Sequence, residues 1–265
     1  MVKVTAMTCL CVDVFDRTGE IRPGGEALNF AAAASRYGHM QLHLIGGIGE
    51  DAYGRSILDA IKGFPVNIDC VHVIPEGKTA SNYTYLTEKG DRYYLEDSWQ
   101  EGVYGSFQLS EIDRKKMRES QLIHTNFTCP IFFEIIELKK EYGFQISVDF
   151  DKERDFRGLE KILPFIDYFF ISGEEKILPE LRQWSINYQG IFVATLAEKG
   201  SIAFRGGKEY QAPAMEVTEV IDTTGCGDSY QAGFISSMLM NGEIVPAMEE
   251  GSKLAAETLS HIGGF

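Results

Sequence analysis

The residues best suited to chemistry lie late in the chain, in Asp222-Thr223-Thr224-Gly225-Cys226-Gly227-Asp228. Ser-Tyr-Gln-Ala-Gly-Phe-Ile-Ser-Ser-Met-Leu follows, so a helix is expected to start at the glycines. The first amides of a helix have no partner inside it and stand at the positive end of its dipole. Two glycines let the backbone approach an anion closely. Gly225, Cys226, Gly227 and Asp228 therefore read as an anion hole for a transferring phosphate, with a carboxylate beside it. Asp222 has the look of a cap or turn residue. A second aspartate inside the anion-binding turn has no such excuse, and Asp228 is the candidate base.

Two rival phosphate motifs fail on their surroundings. Gly77-Lys78-Thr79 resembles the end of a Walker A loop, but His72 stands where the first glycine belongs and no helix is expected after Thr79. Gly47-Ile48-Gly49-Glu50-Asp51-Ala52 fits a loose dinucleotide fingerprint, with Asp69 further on. Glu50 and Asp51 would crowd a pyrophosphate with negative charge, so a nicotinamide enzyme is the weaker reading. Nearer the N-terminus, Gly24-Gly25-Glu26-Ala27-Leu28-Asn29 opens another helix. Its glycines give backbone access, and Asn29, one turn in, offers donor and acceptor to a hydroxylated ligand; a plain cap with Asn29 solvated is the alternative.

These segments must be positioned by regular elements. Short apolar runs alternate with amphipathic stretches, the pattern of a mostly parallel sheet covered by helices. Strands are expected at Val2 to Val12, Gln41 to Ile45, Gln121 to Asn126, Gln145 to Phe150, Asp167 to Ile171 and Ile191 to Thr195. Helices are expected at Glu26 to Tyr37, Tyr53 to Lys62, Phe132 to Tyr142, Lys176 to Trp184, Asp228 to Met240 and Ile244 to His261. Thr79 to Asp97 breaks the alternation: it is rich in Thr, Tyr and Leu and split by Glu88-Lys89-Gly90-Asp91, which reads as a β-hairpin. The expected architecture is one α/β domain over residues 1–265, a doubly wound sheet with helices on both faces. A small β-hairpin lid is drawn from about residues 12–22 and 75–105.

Composition narrows the partners. Twenty-five Lys and Arg against 39 Asp and Glu leave a formal charge of −14, which repels phosphate backbones and anionic lipid, so neither nucleic acid nor membrane is an expected partner. No apolar run is long enough to span a bilayer, and Met1-Val2-Lys3 leads into a buried strand rather than a secretory signal. Cys9, Cys11, Cys70, Cys129 and Cys226 are odd in number and scattered, a reduced, cytoplasmic pattern. Cys9-Leu10-Cys11 lacks a second pair to complete a metal site and reads as alternation on a strand. The five histidines, at 39, 43, 72, 124 and 261, read as structural, and Trp99 and Tyr104 as packing between flap and core.

Together these motifs resemble the ribokinase (PfkB) family of sugar kinases, in the family's order and over essentially the whole chain. Besides the Gly-Gly-x-x-x-Asn helix start and Asp-Thr-x-Gly-x-Gly-Asp, the resemblance includes the Gly49-x-Asp51-x-x-Gly54 turn and the hairpin. It implies a ribokinase-like fold and phosphoryl transfer from ATP with Mg²⁺, with room for a monovalent cation and for pairing of two copies through the lid. By position, Asp13, Gly24, Gly25 and Asn29 would bind substrate hydroxyls, Asp228 would be the base and Gly225 to Gly227 the anion hole. Thr195-Leu196-Ala197-Glu198-Lys199-Gly200 is similar to the family's nucleotide loop; Thr195, Gly200, Thr224 and Ser252 would attend the nucleotide, Ser252 near adenine. Glu175, in Ser172-Gly173-Glu174-Glu175, would influence magnesium through water. The chain departs from the family at Thr8-Cys9, where Gly-Asp is common, and at Ser172, Ala197 and Cys226, which replace Asn, Gly and Ala. Cys226 at a helix start is also where a thiol's pKa falls.

Within the family, Gly24 to Asn29, Ser35-Arg36-Tyr37-Gly38, Gln100-Glu101-Gly102-Val103, Phe107 to Glu111 and Asp149-Phe150-Asp151-Lys152 look most like the branch acting on fructoselysine. Glu26, Glu96, Asp97 and Glu101 offer acidic partners for its amine, whereas Lys78, Lys89 and Arg92 would suit a phosphorylated sugar. Ribose, fructose, 2-keto-3-deoxygluconate and nucleosides are the other family substrates, and a ligand-binding homologue without transfer is the non-enzymatic alternative.

Overall fold

Seven parallel strands and two antiparallel ones make the main sheet of a computed structural model, which describes residues 1–15, 17–87, 92–151, 153 and 155–265. Its centre is β1 (Val2–Met7), paired on one side with β4 (Met40–Gly49) and then β5 (Val66–Ile74), and on the other with β8 (Leu122–Asn126). Beyond β8 come β9 (Gln145–Asp149), β10 (Tyr168–Ser172) and β11 (Ile191–Thr195), all parallel, then the antiparallel β12 (Ser201–Arg205) and β13 (Lys208–Ala212). The winding reverses between β1 and β8. In sheets of this kind, ligands sit outside the strands' carboxyl ends at that reversal.

The apolar strand runs are explained by burial on both faces. Along β10, Tyr168 and Phe170 join one core while Phe169 and Ile171 join the other, and β11 divides Ile191 and Val193 from Phe192 and Ala194 in the same way. One core is covered by α1 (Glu26–Ala34), α2 (Ala52–Ile61), α6 (Cys226–Asn241) and α7 (Ile244–Thr258). The other is covered by α3 (Glu111–Glu119), α4 (Phe132–Tyr142) and α5 (Leu178–Asn187), through Met117, Phe132, Ile135 and Leu181 among others. Helices therefore lie on both faces, as the sequence predicts.

A second sheet, in the order β3-β2-β6-β7, combines β2 (Cys11–Phe15), β3 (Ile21–Gly24), β6 (Ala80–Leu86) and β7 (Arg92–Tyr94). The expected hairpin is present as the antiparallel β6–β7 pair, while its Glu88 to Asp91 turn, with Lys89, lies outside the described residues. β6 docks parallel to β2, so the flap is a four-stranded sheet rather than a lone hairpin.

Four expectations need correction. The strand expected at Val2 to Val12 is two strands in two sheets, with Cys9 in the break between them. Gly25 packs against that break: its φ is +98°, and a Cβ there would lie 2.2 Å from the Cys9 carbonyl oxygen, so only glycine lets the start of α1 come this close. Helix α1 ends at Ala34, before Tyr37, and α7 ends at Thr258, before His261. The helix expected from Lys176 begins as a 3-10 turn and becomes α5 only at Leu178, where Pro179 supplies a favourable first-turn residue.

Candidate active site

The helix start expected at the glycines is α6, which opens at Cys226 with Gly225 as its cap at φ +72°. Only glycine holds that conformation at no cost, and a Cβ would also strike Gly264 Cα at 2.5 Å. Asp222 fixes the turn from behind. Its Oδ1 accepts from Thr224 N at 2.8 Å and Thr224 Oγ1 at 2.6 Å, and its Oδ2 accepts from Gly263 N at 2.8 Å. Asp222 is thus the turn residue the sequence suggests, and the Thr224 hydroxyl donates to it while keeping its acceptor side. In front, Cys226 and Gly227 are half-buried, and nothing lies within 4 Å of a Cβ built on Gly227. The start of α6 therefore has room at Gly227, and its unpartnered first amides suit an anion there.

Asp228 lies in the first turn of α6, 8% exposed, and its Oδ2 accepts a hydrogen bond from Asn29 Nδ2 at 2.8 Å. The two predicted helix starts therefore meet. A Cβ on Gly24 would fall 3.7 Å from Asp13 Oδ2 and 3.8 Å from Asn29 Oδ1, so Asp13, Gly24 and Asn29 surround one spot beside Asp228. Asp13 reaches it from β2, which makes the small sheet one wall of the site. Thr8, a departure from the family pattern, has a structural use: its Oγ1 accepts from Ala27 N at 2.7 Å and caps α1.

A carboxylate cluster at the strand ends extends the site beyond the residues the sequence singles out by role. Asp149, the last residue of β9, accepts from Gln231 Nε2 of α6 and from Asp151 N, both at 2.7 Å. Burial pushes its carboxyl up to about 6, although those two bonds pull the other way. Glu26 accepts from Asn126 Nδ2 at the end of β8. Burial first, then the charges of Asp149, Asp228 and Asp151, hold the Glu26 carboxyl well above the usual range. Asp149 carries a signal in the sequence, an aspartate closing an apolar strand run; Gln231 and Asn126 carry none.

The nucleotide-side expectations are gathered less tightly. Thr195 and Ser172 are register partners at the strand ends, with their hydroxyls 3.4 Å apart. Gly200 takes φ +86° where a Cβ would lie 2.2 Å from the Ala212 carbonyl oxygen, so it shapes the turn between β11 and β12. Ser252 is buried on α7, beside Gly251, which packs against Tyr230 of α6. Glu175 is not brought into the carboxylate cluster; it is exposed and pairs with Lys199 Nζ at 2.7 Å, which holds its carboxyl below the usual value. Among the described residues, no three His, Cys, Asp or Glu side chains converge as a metal cage.

The rival motifs find a structural use in each other. Asp51 caps α2 by accepting from Gly54 N at 2.7 Å, and it also accepts from Thr79 N at 2.8 Å and Thr79 Oγ1 at 2.7 Å. His72 serves Asp113, the capping-box residue of α3, at 2.9 Å, and His124 stacks on Phe30 with ring centroids 3.8 Å apart. Tyr104 packs on the small cluster of Cys9, Cys11 and Ala80, as expected for an aromatic between flap and core.

A doubly wound sheet with a glycine-rich helix start at its carboxyl edge and a small β-sheet alongside is the frame of a carbohydrate kinase. The pfkB family carbohydrate kinase model matches residues 13–264, and the chain belongs to that family. It is a kinase of sugars or closely related substrates. Among its relatives, the fructoselysine 6-kinase of Shigella flexneri is 30% identical over 96% of each chain. The fructosamine kinase of Bacillus subtilis is 29% identical, covering 99% of this chain and 93% of its own. The structure of Arabidopsis thaliana ribokinase complexed with ribose and ATP aligns with a TM-score of 0.81 at 19% identity, over 99% of this chain and 93% of that one. Adenosine kinase from Sinorhizobium meliloti gives 0.83 at 16% identity, over 99% and 95%. These two likenesses show the ribokinase-like fold. Among the described residues, no helix is long and apolar enough to cross a membrane.

Proposed function

We propose that the protein transfers the γ-phosphoryl group of ATP to the 6-hydroxyl of a fructosamine, with fructoselysine the leading substrate. The observation that carries the reading is Asp228, paired with Asn29 at the start of α6 beside the open face of Gly227. In this reading Asp228 accepts the hydroxyl proton as the sugar oxygen bonds to phosphorus and the bond to the ADP oxygen breaks. An ordinary carboxylate suffices, because a loose transition state asks for positioning and charge stabilisation more than early deprotonation. The amides of Gly225 to Asp228 receive the charge on the moving phosphoryl. Asp13, Gly24, Gly25 and Asn29 orient the sugar, and Thr195, Gly200, Thr224 and Ser252 belong to the nucleotide side. Mg²⁺ bound to the phosphates supplies further charge neutralisation. The whole chain is read as one domain with the small sheet as its lid, closing to exclude water that would otherwise compete as acceptor.

The relatives' names support the fructosamine assignment. Two copies are proposed to pair through the small sheet, where Ile21, Tyr83, Tyr93 and Tyr94 are exposed; light scattering tests this. The odd number and scattered placement of the five cysteines support a reducing, cytoplasmic setting. The decisive experiment measures ADP released with Mg-ATP against fructoselysine, fructose, ribose, 2-keto-3-deoxygluconate and nucleosides. Release fastest with fructoselysine is expected. Faster release with a neutral sugar or nucleoside would replace the substrate assignment, and binding without turnover would end the catalytic one.

A further inference from the structure

Three buried side-chain amides hold the carboxylates of the site in one repeated way. Asn29 Nδ2 donates to Asp228, Asn126 Nδ2 to Glu26, and Gln231 Nε2 to Asp149. Each of the three amides is 4% exposed, and in each the side-chain oxygen is buried with no hydrogen-bond partner. Leaving such a group without a donor costs about 1–3 kcal/mol. Three of them beside three carboxylates make a buried cluster of acceptors short of donors.

A cluster of acceptors suits a cation that carries donors. A bare metal ion wants its ligands converging on one point, and among the described residues no three acidic, His or Cys side chains do so. An ammonium instead donates along diverging N–H bonds, and acceptors spread over a helix turn can receive them. Glu26 and Asn29 are three residues apart on α1 and so share a face. Asn29, bonded to Asp228, marks the end where the reacting hydroxyl lies. Glu26 sits about 5 Å further along the helix, a span comparable to that between the C6 oxygen of a hexose and the substituent on its C1.

We propose that Glu26 and the Asn126 side-chain oxygen receive the ammonium joined to C1 of a fructosamine, and thereby set a preference for amino-linked over neutral sugars. The proposal rests on the reading of this site as a fructosamine kinase, and it assigns the residues that recognise the amine. Electrostatics favour it. Among the described residues, Asp228 on α6, Asp149 at the end of β9 and Asp151 just past it raise the Glu26 carboxyl, and Glu26 in turn raises the neighbouring Cys9, Cys129 and Tyr104. Burial and these neighbours disfavour the Glu26 charge in the absence of a cation. An arriving ammonium offsets them and favours the carboxylate, so a proton that Glu26 holds in the empty site passes to buffer.

The test compares the wild type with Glu26→Gln. The ratio of kcat/KM for fructoselysine over fructose should fall by about tenfold or more, chiefly through KM, as expected when one charged hydrogen bond is lost. Titration calorimetry with fructoselysine alone, in buffers of different ionisation enthalpy, should find proton release from the wild type and none from Glu26→Gln. Should Glu26→Gln fold poorly by thermal denaturation, the wild type alone decides: N-acetylated fructosamine, which has lost the charge, should bind about tenfold more weakly or worse. An unchanged ratio, equal proton release from both proteins, or equal binding of the acetylated sugar would each overturn the assignment. A wild type that phosphorylates neither sugar would instead reject the kinase reading on which it rests.

Discussion

Asn29 and Asp228 stand 199 residues apart in the chain and are joined by a hydrogen bond of 2.8 Å. The bond ties the first turn of α1 to the first turn of α6, so the two glycine-led helix starts share one carboxylate. A base that is also a hydrogen-bond acceptor of fixed direction loses little freedom when the substrate arrives.

Asp228→Asn should therefore fold normally and retain ATP binding, while turnover falls by about 10²–10⁴, the usual contribution of a positioned proton acceptor. Asn29→Ala should do less to kcat and more to the sugar KM. Steady-state kinetics on both variants check this, and near-normal turnover in Asp228→Asn would end the role given to that carboxylate.

The two glycines flanking Cys226 should respond differently to the same change. Gly225→Ala meets both a left-handed backbone, at about 1–3 kcal/mol, and the backbone of Gly264. A clear loss of thermal stability is expected together with loss of activity. Gly227→Ala meets no protein atom within 4 Å and stands inside a helix, where alanine is favoured by about 1 kcal/mol. Stability should hold or rise while kcat falls, because the new methyl group intrudes where the phosphoryl is to lie. Equal behaviour of the two variants in denaturation and in kinetics would remove the anion-hole assignment.

Asp51 and Thr79 make a stability prediction of their own. Burial works against the Asp51 charge, but hydrogen bonds from Gly54 and Thr79 prevail and hold its carboxyl below the usual value. The main sheet and the small sheet are pinned together at this point. Thr79→Val removes the hydroxyl while keeping the shape, leaving Asp51 and the Gly49 amide each one partner short. A loss of about 1–3 kcal/mol is expected in denaturant unfolding. Because the Asp51 pKa is depressed, this stabilisation is present above its ordinary value of 3.8 and fades as pH falls below it.

The contrast between this pair and the catalytic one shows what a sequence makes legible. Glycines and aspartates at helix starts are local signals, so Gly225 to Asp228 and Gly24 to Asn29 could be read directly. The strands of the main sheet were legible too, because burial on both faces demands apolar runs. What escaped has long-range or weak causes. β5 alternates only partly, α3 presents little more than Met117 to a core, and β12–β13 turn on Gly206-Gly207, whose positive φ values permit the hairpin. Asn126 and Gln231 matter through partners distant in the chain, Glu26 and Asp149, which no spacing rule reveals.

Asp149 gives the site a pH signature whose sign can be worked out. Its folded pKa, about 6, is raised above the ordinary 3.8 by burial, so the folded protein prefers the protonated form. A raised carboxyl contributes stability that is complete below 3.8 and is lost as pH climbs through about 6. Asp149→Asn should erase this loss. The amide can still accept from Asp151 N, and Gln231 need only turn its unpartnered oxygen toward the new NH₂. The variant should match the wild type in thermal denaturation well below pH 3.8 and melt higher above about 6. Binding should move the opposite way: with the carboxylate neutralised, affinity for a cationic sugar should lose the rise that the wild type shows as pH passes about 6. A melting difference that does not vary with pH would mean that Asp149 is ionised throughout, and the buried acidic wall of the site would need another explanation.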